Sequence, residues 1–191
     1  MARKPHHQGS TTRRPGIHGV RKPVTPASRD SRRVIGFVVR FLVGWALAIG
    51  VLSLVPAIER WTVQKTADAV VLVLRLLSLE PSAMGTTIAV GGATVQIISE
   101  CTSLMSTLLL SIAMAAYPTA LGWKAIGLSV GIISIWVVNL IRVLALLAVL
   151  QWWPDGFEFV HVYLWQTGML LAVCALFLAW LRMMPARWAN P

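Results

Sequence analysis

The sequence predicts an all-α polytopic membrane protein, with about four membrane-spanning helices, one interfacial amphipathic helix and a small extracytoplasmic β-hairpin. Three observations carry that reading. Of the 191 residues 57% are hydrophobic and the mean hydropathy is +0.71, which is too apolar for a soluble domain. The apolar residues gather into runs near the ~20 residues that cross a ~30 Å hydrocarbon core. The net charge of +10 is unevenly placed, because nine of the 17 Lys and Arg residues fall in the first 33 positions.

Residues 1–33 are rich in Arg, Lys, Pro, Ser and Thr. They bury too little apolar surface to offset chain entropy, so a disordered basic tail is expected. Aromatic interleaving is absent, which disfavours nucleic acid as its partner and favours a cytoplasmic anchor beside anionic lipid. Residues 34–55 form the first span, with Arg40 near its basic end, placed to snorkel. Residues 66–79 have helical character but are short for a span and carry Asp68 and Arg75. They read as an interfacial helix with its apolar face in the bilayer.

Residues 86–90 and 93–98 alternate β-branched and small side chains around Gly91-Gly92, the signature of a hairpin closed by a tight turn. Residues 102–117 form the second span, ended by Pro118, and residues 125–150 the third, interrupted by Asn139 and Arg142. Residues 151–156 form an aromatic-belt loop, residues 161–181 the fourth span, and residues 183–191 a short C-terminal tail. With four spans both termini, Lys124, Arg182 and Arg187 fall on the cytoplasmic side, and Glu59, Glu80, Asp155 and Glu158 fall outside. That satisfies the positive-inside rule, and places residues 34–182 as one integral membrane domain of the cell membrane.

Three reactive side chains fall toward the outer side. Cys101 lies at the seam between the hairpin and the second span, where a helix macrodipole favours thiolate. His161 lies at the entrance of the fourth span. Arg142 lies within the third, about ten residues before Trp152, and Asn139 shares its helical face. An arginine within a span costs at least ~2.5–3.5 kcal/mol on insertion scales, so its retention points to function. A cysteine, a histidine and an arginine on one side supply a nucleophile, a proton carrier and an anion stabiliser. Glu100 reads as a solvated carboxylate, and Cys174 as a buried structural thiol separated from Cys101 by membrane depth. There is no Cys-x-x-Cys pair and no histidine cluster, so neither a metal nor another cofactor is expected.

The chain resembles the exosortase/archaeosortase membrane proteins, most nearly the short exosortase H type, over residues 34–182. The resemblance rests on Cys101 after a hairpin, on Asn139-Leu-Ile-Arg142, and on Phe157-Glu-Phe-Val-His161-Val-Tyr-Leu-Trp-Gln166. It departs from the family at Thr102-Ser103, where Ser-Gly or Asn-Gly is usual after the cysteine. The resemblance implies a transpeptidase-like enzyme without cofactor, acting through Cys101, Arg142 and His161. Its partners would be exported proteins whose C-terminus carries a short motif, a transmembrane helix and a basic cluster.

The residues suit that chemistry. The Cys101 thiolate would attack a scissile carbonyl and form an acyl-thioester, and His161 would shuttle the proton. A guanidinium holds its proton tightly, so Arg142 serves better as a fixed donor to the oxyanion than as an acid. Two other readings remain. A non-catalytic transporter or scaffold would use Asn139 and Arg142 to line a polar path or lock helices, and an intramembrane protease would resolve the thioester with water.

Overall fold

The computed structural model describes residues 26–185, with side chains from residue 31 onward. The chain forms α1 (Pro26–Leu54), α2 (Pro56–Leu76), β1 (Ser82–Met84), β2 (Thr87–Val90) and β3 (Ala93–Gln96). A 3₁₀ turn at Ser99–Cys101 then leads into α3 (Leu104–Ala116) and α4 (Leu121–Trp152). A second 3₁₀ turn at Pro154–Gly156, a π-helical stretch at Phe159–Leu164 and α5 (Trp165–Arg182) complete it.

Among the described residues, three segments are long and apolar enough to cross a membrane: Ser31–Leu54, Leu121–Trp152 and Pro154–Arg182. The expected second span is shorter. It is the 13-residue α3, ~20 Å long at 1.5 Å per residue. Pro118 sets its lower limit by holding Tyr117 in extended backbone. Two cations satisfy the carbonyls left open there: Arg40 Nη1 donates to the Ala116 carbonyl (3.1 Å) and Lys124 Nζ to that of Ala115 (2.7 Å). Arg40 therefore caps a neighbouring helix as well as sitting near the basic end of its own.

Helix directions follow from paired contacts. Phe37 packs on Tyr117 and Gly44 approaches Ile112, so α1 and α3 run antiparallel. Lys124 reaches Ala115 and Gly131 approaches Leu110, so α3 and α4 do too. Trp180 stacks on Trp123 with centroids 6.5 Å apart, and its Nε1–H donates to the Trp123 carbonyl, joining the end of α5 to the start of α4. One apolar core lies between α3, α4 and α5, around Leu110, Met114, Ile135, Met169 and Val173. A second gathers Val70 and Leu74 of α2, Ile88 and Ile97 of the sheet segment, Val143 and Leu147 of α4, and Cys101.

Other expectations change as well. Helix α1 starts at Pro26, inside the expected tail, because arginine is a good helix former and the apolar run supplies the nucleus from which helix propagates; the rest of that tail, residues 1–25, and residues 186–191 of the C-terminal tail lie outside the described residues. Helix α2 has 21 residues rather than the expected 14 or so, and Thr62, Thr66, Ala67, Val70 and Leu74 are buried. Its buried face packs against α4 and the Ser99–Cys101 turn, while Trp61, Leu72 and Leu76 stay exposed. Ser78, with φ 60°, closes that helix: Leu79 N–H donates to the Leu74 carbonyl and Ser78 N–H to that of Arg75. Cys174 is exposed on α5 and free, because a helix apolar on every side does not declare in sequence which side packs.

The hairpin is one part of a three-stranded antiparallel sheet in the order β1-β2-β3. Strand β1 is too short to alternate visibly, which hid it from the sequence. Gly85 (φ 61°) opens the turn between β1 and β2, and Gly91 and Gly92 (φ 59° and 85°) form the turn between β2 and β3. A Cβ on Gly91 would stand 2.8 Å from Gln151 Nε2, so this turn sits directly on the far end of α4.

Candidate functional site

The site is built where a non-helical stretch enters the bundle. Ser99–Cys101 is a single 3₁₀ turn, and Thr102 is extended before α3 begins. Backbone of this kind loses its internal hydrogen bonds and survives beside lipid only when other groups satisfy it. Here α4 does so with two side chains one turn apart. Asn139 Nδ2 donates to the Cys101 carbonyl (2.9 Å) and Arg142 Nη1 to the Glu100 carbonyl (3.0 Å). Within the turn, Thr102 Oγ1 donates to Ser99 O (2.8 Å).

Both α4 residues are buried, Asn139 at 3% exposure and Arg142 at 7%. Arg142 takes the Glu100 carbonyl and not its carboxylate; the one ion pair among the described residues joins Lys65 to Asp68 on α2. Glu100 itself is exposed. The sequence marked Asn139 and Arg142 as a polar pair on one face, but their partners were not readable, since those partners are backbone atoms some 40 residues away.

Arg142 lies 18 residues beyond Lys124 in α4, ~27 Å at 1.5 Å per residue, a length close to that of a ~30 Å hydrocarbon core. The last turns of α4, up to Trp152 at 80% exposure, lie beside the sheet.

His161 lies within a continuous helical segment rather than at its entrance. The segment from Pro154 to Arg182 contains it, and the residues around it form the π-helical stretch. A π-bulge inserts one extra residue in a turn and re-aims the side chains that follow; such bulges recur at functional sites. Phe157, four residues earlier, stacks flat on the imidazole with ring centroids 5.5 Å apart and planes 5° apart.

Two cavities meet at His161. The larger, about 470 Å³, is lined by Arg142, Glu100, His161, Trp45 of α1 and the apolar side chains Leu109 and Leu170. The smaller, about 320 Å³, is lined by Cys101, His161, five consecutive residues from Thr94 to Ile98, and the α4 face Val143, Leu146 and Leu150. The three residues singled out from the sequence are thus brought together, although Cys101 and Arg142 border different cavities and His161 borders both. Cys101 is 8% exposed. Arg142 Nε, His161 Nδ1 and Asn139 Oδ1 are buried with no hydrogen-bond partner. Polar atoms left open in a buried site are costly. Among the described residues no cluster of His, Cys, Asp and Glu could hold a metal.

Sequence reasoning did not identify Phe157 as the residue that orients His161, or the β3 segment as a cavity wall. The spacing of four between Phe157 and His161 was the available signal for the first.

Neither a curated protein nor a solved structure matches this chain. The family model for transmembrane exosortases, of the EpsH type, matches residues 27–184, a stretch that contains both cavities and all three reactive side chains. On that match the chain belongs to the transmembrane exosortase family.

Proposed function

We propose that this protein is a membrane cysteine transpeptidase, of the short exosortase H type, that cleaves the C-terminal sorting signal of exported proteins through an acyl-thioester on Cys101. The observation that carries the reading is the convergence on His161 of one cavity bearing Cys101 and another bearing Arg142, with buried polar atoms of Arg142 and His161 left unpartnered.

In this reading Cys101 Sγ, as thiolate, attacks the scissile carbonyl carbon. The C–N bond breaks, His161 protonates the departing amine, and the acyl group remains on sulfur. An acceptor amine or water then attacks the thioester, gives a proton to His161, and releases the thiolate. Arg142 spends Nη1 on the Glu100 carbonyl and keeps Nε for the oxyanion or the substrate carbonyl. The apolar wall of the larger cavity, with Leu109 and Leu170, suits the substrate's own transmembrane helix. Arg40 and Lys124 lie at the other end of the bundle. By the positive-inside rule that end is cytoplasmic, and the site lies at the extracytoplasmic face of the cell membrane.

The scaffold reading has one observation in its favour: Asn139 and Arg142 both tie down backbone. Expression of Cys101→Ala and Cys101→Ser in membranes with a tagged substrate separates the two. Loss of processing in both supports the transpeptidase, and a normal rate in Cys101→Ala ends the thioester mechanism.

A further inference from the structure

Strand β3 is at the edge of its sheet, paired with β2 alone. In a two-residue hairpin the pair flanking the turn, here Val90 and Ala93, is hydrogen-bonded, and the pattern alternates along the ladder. Ala93 and Val95 thus turn their backbone groups toward β2, as Ile97 does when its N–H donates to the Thr86 carbonyl (2.8 Å). Thr94 and Gln96 turn theirs the other way, toward the free edge.

The smaller cavity lies along that edge. Side chains alternate faces along a strand, so a cavity against one face of the sheet would meet every second residue. This cavity meets all five residues from Thr94 to Ile98, of both parities. Its opposite wall is the side-chain surface of α4 at Val143, Leu146 and Leu150. Those helical residues bond their own backbone internally and offer the strand edge nothing in return. At one end the cavity reaches Cys101 and His161. A groove with open backbone donors and acceptors on one side, apolar side chains on the other and a thiol at its end fits an extended peptide.

We infer that the free edge of β3 receives, as an added strand, the stretch of substrate immediately N-terminal to the scissile bond; this rests on the transpeptidase reading of Cys101. The backbone of Thr94 and Gln96 supplies the hydrogen bonds, which makes docking tolerant of side-chain identity, while Val143, Leu146 and Leu150 select small or apolar side chains facing α4. The segment C-terminal to the bond, which becomes the leaving group, passes His161 into the larger cavity, along its apolar wall at Leu109 and Leu170. The acyl half and the helix-bearing half of the substrate thus part on either side of the imidazole.

Disulfide trapping tests the arrangement without relying on turnover. Thr94→Cys is placed in a Cys101→Ser, Cys174→Ser background, and single cysteines are scanned through the segment before the cleavage point of a tagged fusion that wild-type membranes process. Crosslinks at every second substrate position are expected. A period of three to four, or no position above background, overturns the proposal. Thr94→Pro and Gln96→Pro remove the outward N–H groups while leaving the β2–β3 ladder intact, since proline is tolerated at an edge and extended backbone precedes each site. Each should slow processing by about two- to tenfold, the range carried by one ordinary hydrogen bond; wild-type rates in both overturn it. Normal processing by Cys101→Ala would instead sink the transpeptidase reading, and the crosslink pattern would still report on docking by itself.

Discussion

The side-chain amide of Asn139 holds the backbone carbonyl of Cys101 at 2.9 Å, across 38 residues of sequence. The cysteine is thereby positioned by its main chain, and its thiol is left free of that contact. Asn139→Ala leaves a buried carbonyl without a donor, at about 1–3 kcal/mol. The expected result is a ten- to hundredfold loss of substrate processing in membranes at normal protein level, smaller than the loss in Cys101→Ala. An Asn139→Ala enzyme as active as wild type would show that the anchor is dispensable.

Arg142→Lys keeps the charge and loses the planar fork. An ammonium reaching the Glu100 carbonyl has no second donor fixed at the position of Nε, so positioning of the turn should survive better than turnover. Thermal unfolding in detergent is expected to separate the variants, with Arg142→Lys near wild type and Arg142→Ala lowered. Processing should be depressed in both, by about 10²–10³ if Arg142 serves the oxyanion.

Phe157→Ala removes the ring stacked on His161. Aromatic pairs of this kind contribute about 0.5–1.5 kcal/mol beyond burial, so a several-fold fall in processing is expected, and Phe157→Leu should recover only part of it because it restores bulk without the flat face. Single-turnover assays should show the defect in the chemical step.

Gly127→Ala tests the far end of the bundle. A Cβ there would overlap the indole of Trp180, which is stacked on Trp123 and bonded to its carbonyl. The indole must move, and overpacking of this type costs about 1–3 kcal/mol. A lower melting temperature is expected, with the remaining folded enzyme retaining its rate, since the site lies several turns away along α4.

Ser78→Gly should stabilise modestly. Ser78 holds φ 60° at the end of α2, a conformation that costs a side-chain-bearing residue roughly 1 kcal/mol and glycine almost nothing. A small rise in melting temperature without change in processing is the outcome expected.

Much of the membrane architecture was legible because hydrophobic runs and their breaks are local. The limits of α3 at Pro118, the glycine turn before β3 and the approximate reach of α4 and α5 all follow from neighbouring residues. The length and packing of α2 were not, since Thr62 and Thr66 read as polar until their hydroxyls are seen donating to the carbonyls of Ile58 and Thr62 on the helix's own backbone. Strand β1 escaped because three residues carry no period.

From sequence alone came the kind of protein, the helical plan, and the choice of Cys101, Arg142 and His161, because a charge or a reactive group within an apolar run is conspicuous against its neighbours. Tertiary structure alone decided that Asn139 and Arg142 grip the turn carrying the thiol, that His161 sits in a π-helical stretch, and that two cavities meet there. The reason is physical. Residue type sets what a group costs to bury, whereas its partners are backbone carbonyls, which every residue carries alike and which only folding brings within reach.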